Sequence, residues 1–171
     1  MSTNPGILAS ASVALTRIAL CFWVGGAILY VITSVAEQRY AQFDSLVRDQ
    51  LATIRFPLYY RFGWFCLGTT LVTSLLAIVT NAANLRKRML AVLGLTLIST
   101  GIAIVDYQMV YKPLQRLITP PGKTRTQEFV ALHDRSRIIN EVHLTIALFA
   151  AVIACLPEKQ MANASRQSCP E

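Results

Sequence analysis

Charge is almost absent from four stretches of the chain, 18–36, 62–80, 89–105 and 142–157. The first two hold 19 residues each, the third 17 and the fourth 16. A helix needs about 20 mostly apolar residues, with a working minimum near 17, to cross roughly 30 Å of hydrocarbon. The fourth stretch reaches that length by drawing in Ile138 and Ile139 while Arg137 snorkels toward the headgroups. The pattern therefore predicts an all-α integral membrane four-helix bundle over residues 12–157, with spans near 15–36, 60–81, 88–107 and 138–157. Polar segments 1–11 and 158–171 read as flexible tails.

The punctuation between spans refines this outline. Ser12 is placed to cap the first helix. Phe43, Leu46, Val47 and Leu51 are spaced as the apolar face of an amphipathic segment between the first and second helices. Arg86-Lys87-Arg88 closes a short turn into the third helix, which Pro113 is expected to bend or end. Thr119-Pro120-Pro121-Gly122 is a break, and Thr124 with Gln127 matches a capping box that starts an extended fourth helix. Asn163-Ala164-Ser165 is a glycosylation sequon that matters only in a eukaryotic secretory setting.

Composition agrees with a membrane chain. Of 171 residues, 54% are hydrophobic and 15% charged, too few charges to coat a soluble bundle of this size. The net charge of +7 sits beside the spans and forms no basic stripe with interleaved aromatics, so nucleic acid is not an expected partner. The lipid bilayer is, together with a second copy or a membrane partner protein. Arg17 and the apolar run after it loosely resemble a signal peptide, but Trp23 and Gly25-Gly26 fit a retained span better. The cysteines, Cys21, Cys66, Cys155 and Cys169, form no CxxC pair and read as packing residues.

With four spans both termini share one face, side A, and the two long connections share side B. Of 16 basic residues, Arg17, Arg86, Lys87, Arg88, Lys159 and Arg166 fall to side A and ten to side B, where seven of the nine acids dilute them. Orientation stays open. The tyrosines divide more sharply: Tyr30, Tyr40, Tyr59, Tyr60, Tyr107 and Tyr111 all lie toward side B. An aromatic belt should mark both interfaces, so a one-sided set suggests a site.

The stretch EFVALHDRSRIINEVH, residues 128–143, enters the fourth span at this end. At about 100° per residue, Phe129, Leu132, His133, Ser136, Ile139, Asn140 and His143 share one arc, while Asp134, Arg137 and Glu141 point away. The expected pocket joins His133, Ser136 and Asn140 to Tyr59, Tyr60, Tyr107 and an Arg61–Asp106 charge pair. Polar groups at membrane depth are costly and serve either function or interhelical hydrogen bonding. His133 and His143 are roughly 15 Å apart along a helix, too far to hold one ion together. No metal and no cofactor is expected. Trp23, Gly25 and Gly26 offer a surface for close helix packing.

Several motifs occur together and in order: Trp23-Val24-Gly25-Gly26, Phe56-Pro57-Leu58-Tyr59-Tyr60, the stretch from Asp106 to Pro113, and Phe129-x-x-Leu132-His133-x-x-Ser136-x-x-x-Asn140. The set resembles a family of small four-helix membrane proteins of unknown function, which includes a mammalian transmembrane protein linked to platinum-drug resistance and many bacterial relatives. The resemblance covers about residues 12–157. It implies four spans, no signal cleavage and motif residues gathered at one end, and it supplies no reaction. Where many relatives have an Ala-Pro pair followed by Phe, this chain has Ala36-Glu37-Gln38-Arg39-Tyr40, which leaves the first connection in question. The outline is more distantly similar to copper-resistance membrane proteins and to a haem-synthesis membrane oxidase, but the first-helix histidine expected there is missing.

These readings point to a non-enzymatic protein of a bacterial inner membrane with a polar pocket for a small solute, ion or lipid headgroup. A redox or haem/copper-linked membrane enzyme and an assembly subunit of a larger complex are the alternatives.

Overall fold

The structure is a computed structural model that describes residues 5–80 and 83–157. Helix α1 runs Pro5–Arg39, α2 Ser45–Thr80 and α3 Ala83–Asp106. A π-helical turn, Tyr107–Tyr111, carries α3 into the short α4, Lys112–Leu117, and α5 follows over Gln127–Cys155. Helix α1 packs on α2, α2 on α3, α3 on α5 and α5 back on α1, an up-and-down ring of four. All four are long and apolar enough to cross a membrane, α3 through α4 counting as one.

The distribution of side chains fits hydrocarbon rather than water outside. Val79 is 78% exposed and Phe65 73%, while Thr16, Thr70, Ser74 and Ser99 are 0% exposed inside the ring. Lipid is as apolar as leucine, so these helices gain little by hiding large apolar groups from it. They gain by close contact through small residues. Ala77, Ala147, Ala150 and Ala154 line the seams, and the Thr16 and Thr73 hydroxyls meet at 2.8 Å between α1 and α2.

Four local expectations are corrected. Helix α1 is already formed at Pro5, and Ser12 is no cap: its hydroxyl donates to the Ala9 carbonyl oxygen from within the helix. The amphipathic segment is not a separate element but the first turns of α2, capped by Asp44 Oδ1, which accepts from Val47 N at 2.9 Å. Helix α2 then continues through Pro57, although proline there lacks the backbone donor and crowds the preceding turn. Pro113 does not end the third span; it sits in the first turn of α4, where its missing N–H costs nothing. The cap of α5 is Thr126, whose Oγ1 accepts from Phe129 N at 3.1 Å, in place of Thr124. Residues 1–4 and 158–171, including the sequon, lie outside the described residues, as does Asn81 at the expected end of the second span.

At side A, Arg17 Nε donates to the Ala154 carbonyl at 2.8 Å and Arg88 Nη1 to the Leu156 carbonyl at 2.5 Å. The last carbonyls of a helix lack intrahelical partners, so two arginines from α1 and α3 close this end. One turn beyond Arg17, Cys21 Sγ lies 4.0 Å from Cys155 Sγ, both exposed on the bundle exterior. Cysteines dispersed in sequence are thus paired across the α1–α5 seam. Mild oxidation with copper phenanthroline is expected to join them within one chain, which peptide mapping by mass spectrometry would show; no Cys21–Cys155 peptide would mean these helices meet in another register.

Candidate functional site

The site grows from the tyrosine-rich end of the ring. From α2, Tyr59 and Tyr60 project in adjacent directions; Tyr59 meets Tyr30 of α1 with ring centroids 4.4 Å apart, and Tyr60 meets Tyr107 and Tyr111 at 5.0 and 4.7 Å. Five of the six tyrosines belong to this cluster, and Tyr40 packs apart on Phe43. The π turn after Asp106 inserts one extra residue per turn. Tyr107 and Tyr111 stack on each other at 5.3 Å, and both reach Tyr60.

Beneath the tyrosines lies a small cavity lined by Trp23, Tyr59, Tyr60, Gly63, Trp64, Leu67, Ala103, Asp106, Asn140 and His143. The centre of a water-sized sphere has about 10 Å³ to move in, room for about one water molecule. The indole of Trp23 forms one wall, 5.2 Å from the Tyr59 ring and 5.5 Å from the His143 ring. It fits because position 63 is glycine: a methyl group there would lie 2.8 Å from the indole Cη2 and Cζ3.

Asp106 is the acid of the site, 3% exposed. Its Oδ2 accepts a hydrogen bond from the Tyr60 hydroxyl at 2.5 Å, and its Oδ1 is buried with no partner. His143 is 5% exposed and its Nε2 is also buried without a partner, as is Nε1 of Trp23. Asn140 Nδ2 donates to the Ser136 carbonyl at 2.9 Å and to its Oγ at 3.2 Å, while its Oδ1 accepts from Tyr59 OH at 3.5 Å. Buried polar atoms are nearly always paired with protein or ordered water. Three residues with such orphaned atoms line one cavity, which makes it the candidate site.

Of the residues the sequence suggests, Asp106, Tyr59, Tyr60 and Asn140 line the cavity, Tyr107 stands behind Tyr60, Ser136 is bonded to Asn140 of its own helix, and two further members lie elsewhere. His133 is exposed, stacked on Phe129 at 5.9 Å between ring centroids. No residue of α5 before His143 is buried, because the first half of α5 stands beyond the enclosing helices. Arg61 is exposed too and forms no pair with Asp106, whose bonded partner is Tyr60. In the packing surface, Trp23 is 2% exposed and Gly26 abuts Phe62, whereas Gly25 is exposed and a methyl group added there would meet nothing within 4 Å.

His143 and Gly63 were the members hardest to select in advance. The two histidines share one arc, and only its depth along the helix separates them. Gly63 carries no chemistry, and only the fold shows which ring it admits. Among the described residues no three His, Cys, Asp or Glu side chains converge, and Asp106 and His143 alone would supply two ligands to a metal.

Two charged clasps frame this end. Arg55 of α2 pairs with Glu37 of α1, donates to Thr33 Oγ1 at 2.5 Å and lies over the Tyr30 ring at 4.9 Å. Asp49, 1% exposed in the first turns of α2, accepts from Gly122 N at 2.9 Å and from Arg125 Nη2 at 2.5 Å. It ties the connection before α5 across the base of α2.

Fold and site together define a membrane-spanning four-helix bundle with a water-sized cavity, mainly apolar with a few polar groups, under a tyrosine cluster. No family model, curated protein or solved structure matches the chain.

Proposed function

We propose that this chain is a non-enzymatic multi-pass protein of a bacterial cell membrane, related to the small four-helix family that its motifs resemble, and that the Asp106–His143 cavity is its binding site. The ligand is small: a water molecule or a single ion. The carrying observation is that three residues with buried, unpartnered polar atoms, Trp23, Asp106 and His143, line one cavity with room for about one water. That size argues against the wider ligand classes, a solute or lipid headgroup, within this cavity. One histidine and one carboxylate are a poor start for a haem or copper site.

The test is complementation of a strain lacking the gene, grown over a range of pH and of sodium, potassium and lithium salts. Asp106→Asn and His143→Gln are expected to fail wherever the deletion fails, at membrane protein levels equal to wild type. His133→Ala and Arg61→Gln should rescue fully, since both side chains lie outside the cavity. Equal rescue by all four variants would sink the assignment of this site.

A further inference from the structure

The three orphaned atoms are not equivalent. The indole N–H of Trp23 only donates, the free Oδ1 of Asp106 accepts as carboxylate and donates as carboxylic acid, and Nε2 of His143 accepts when the neutral ring carries its proton on Nδ1. They come from α1, α3 and α5, so no shift of one helix pairs them all. A bare cation fits this set poorly. It would share the cavity with an indole N–H donor, and the other side-chain oxygens of the lining, Asn140 Oδ1, Tyr59 OH and Tyr60 OH, are already hydrogen-bonded. One water molecule matches the hydrogen-bonding character of all three: it accepts from Trp23, donates to His143, and bonds Asp106 Oδ1 as acceptor from the carboxylic acid or as donor to the carboxylate.

We propose, resting on the reading of this cavity as the binding site, that its ligand is one water molecule and that through it Asp106 and His143 share a single proton. In the transfer, the carboxylic O–H of Asp106 gives its proton to the water oxygen, and the water passes one of its own protons to Nε2 of His143. The products are a carboxylate, an imidazolium and an unchanged water. Reversal restores the neutral pair, so no charge enters or leaves the site.

Surrounding groups make this exchange the main source of counter-charge. Helix α2 presents Tyr59 and Tyr60, the π turn presents Tyr107 against Tyr60, and α1 presents Trp23, none of them cationic. Asn140 on α5 is neutral, and Arg61 and His133 are exposed outside the cavity. A buried carboxylate without a cationic partner is costly, and among the lining residues only the imidazolium of His143 supplies one. Tyr60 holds the other carboxylate oxygen and fixes the direction of Oδ1. The ligand class is therefore the proton, carried on a resident water.

The experiment uses the full-length protein, labelled with nitrogen-15, in lipid nanodiscs. Two signals are followed by NMR: magnetisation transfer from water to the Trp23 indole proton, and the imidazole nitrogens of His143 across pH. The expected result is a water contact at Trp23 and a His143 titration in two steps, as coupled groups give, collapsing to one step in Asp106→Asn. Absence of the water contact would overturn both the occupied site and the shared proton. A water contact with one His143 step, identical in wild type and Asp106→Asn, would overturn proton sharing alone. If Asp106→Asn does not fold, Tyr60→Phe decides, because it keeps the carboxylate while freeing Oδ2: an altered His143 curve supports sharing and an unchanged one overturns it.

Discussion

Asp49→Ala is expected to free the connection between the third and fourth spans and to destabilise the bundle by about 1–2 kcal/mol. Asp49 accepts from both Gly122 N and Arg125 Nη2 at 1% exposure. Removing a buried partner strands what it bound, at about 3–5 kcal/mol for a fully buried charge. Arg125 keeps a third of its side chain exposed and stacks on Phe129 at 4.3 Å, so its charge can turn to water and most of that penalty falls away. Gly122 is exposed as well, so its freed N–H can turn to water, and what is lost is the net worth of the two hydrogen bonds, about 1–2 kcal/mol. Asp49→Asn keeps one acceptor for that N–H and should lose roughly half as much. The discriminating measurement is amide hydrogen exchange: residues 118–126 should exchange much faster in Asp49→Ala, while the core of α3 is unchanged. Equal protection of 118–126 in wild type and variant would mean the clasp does not hold the connection.

The second large effect is at Gly63. Gly63→Ala places a methyl group 2.8 Å from the rim of the Trp23 indole. That ring is 2% exposed and packed against Tyr59, Phe62 and His143, so it cannot withdraw without disturbing the cavity wall. Overpacking of this kind costs about 1–3 kcal/mol. Gly26 provides the contrast: its added methyl group would meet Phe62 at 2.6 Å, but Phe62 is 39% exposed and can swing toward lipid. Gly26→Ala should therefore cost less, although its clash is nominally the closer one. Trp23→Phe removes the ring edge that Gly63→Ala strikes, so the double variant should be less destabilised than the sum of the singles by about 1 kcal/mol. Steric-trapping measurements of unfolding in bicelles would show it, and strict additivity would mean that the indole and Gly63 do not share this space.

The two effects differ in what they report. Asp49 is a tether at the side B surface, outside the ring of helices, and its loss opens a connection. Gly63 sets the wall of the cavity itself, and its substitution acts on Trp23 and through it on His143. A Gly63 variant that is stable but functionally dead would link the cavity wall to activity. An Asp49 variant is expected to lose stability first.

Sequence alone was enough for the fold class. Four charge-poor stretches of near-membrane length have few alternatives, because unpaired backbone in hydrocarbon forces each one into a helix. The one-sided placement of the tyrosines and Asp106 was also legible, since four spans fix which ends lie together. Tertiary structure decided which polar residues meet. Helical phase put His133 and His143 on one arc, but only the reach of the neighbouring helices buries the second and leaves the first outside. Charge complementarity suggested Arg61 for Asp106, but α2 turns Arg61 outward and offers the Tyr60 hydroxyl instead. Periodicity describes one helix at a time, whereas a cavity belongs to several, and its shape is set by contacts as non-local as an indole of α1 against a glycine of α2.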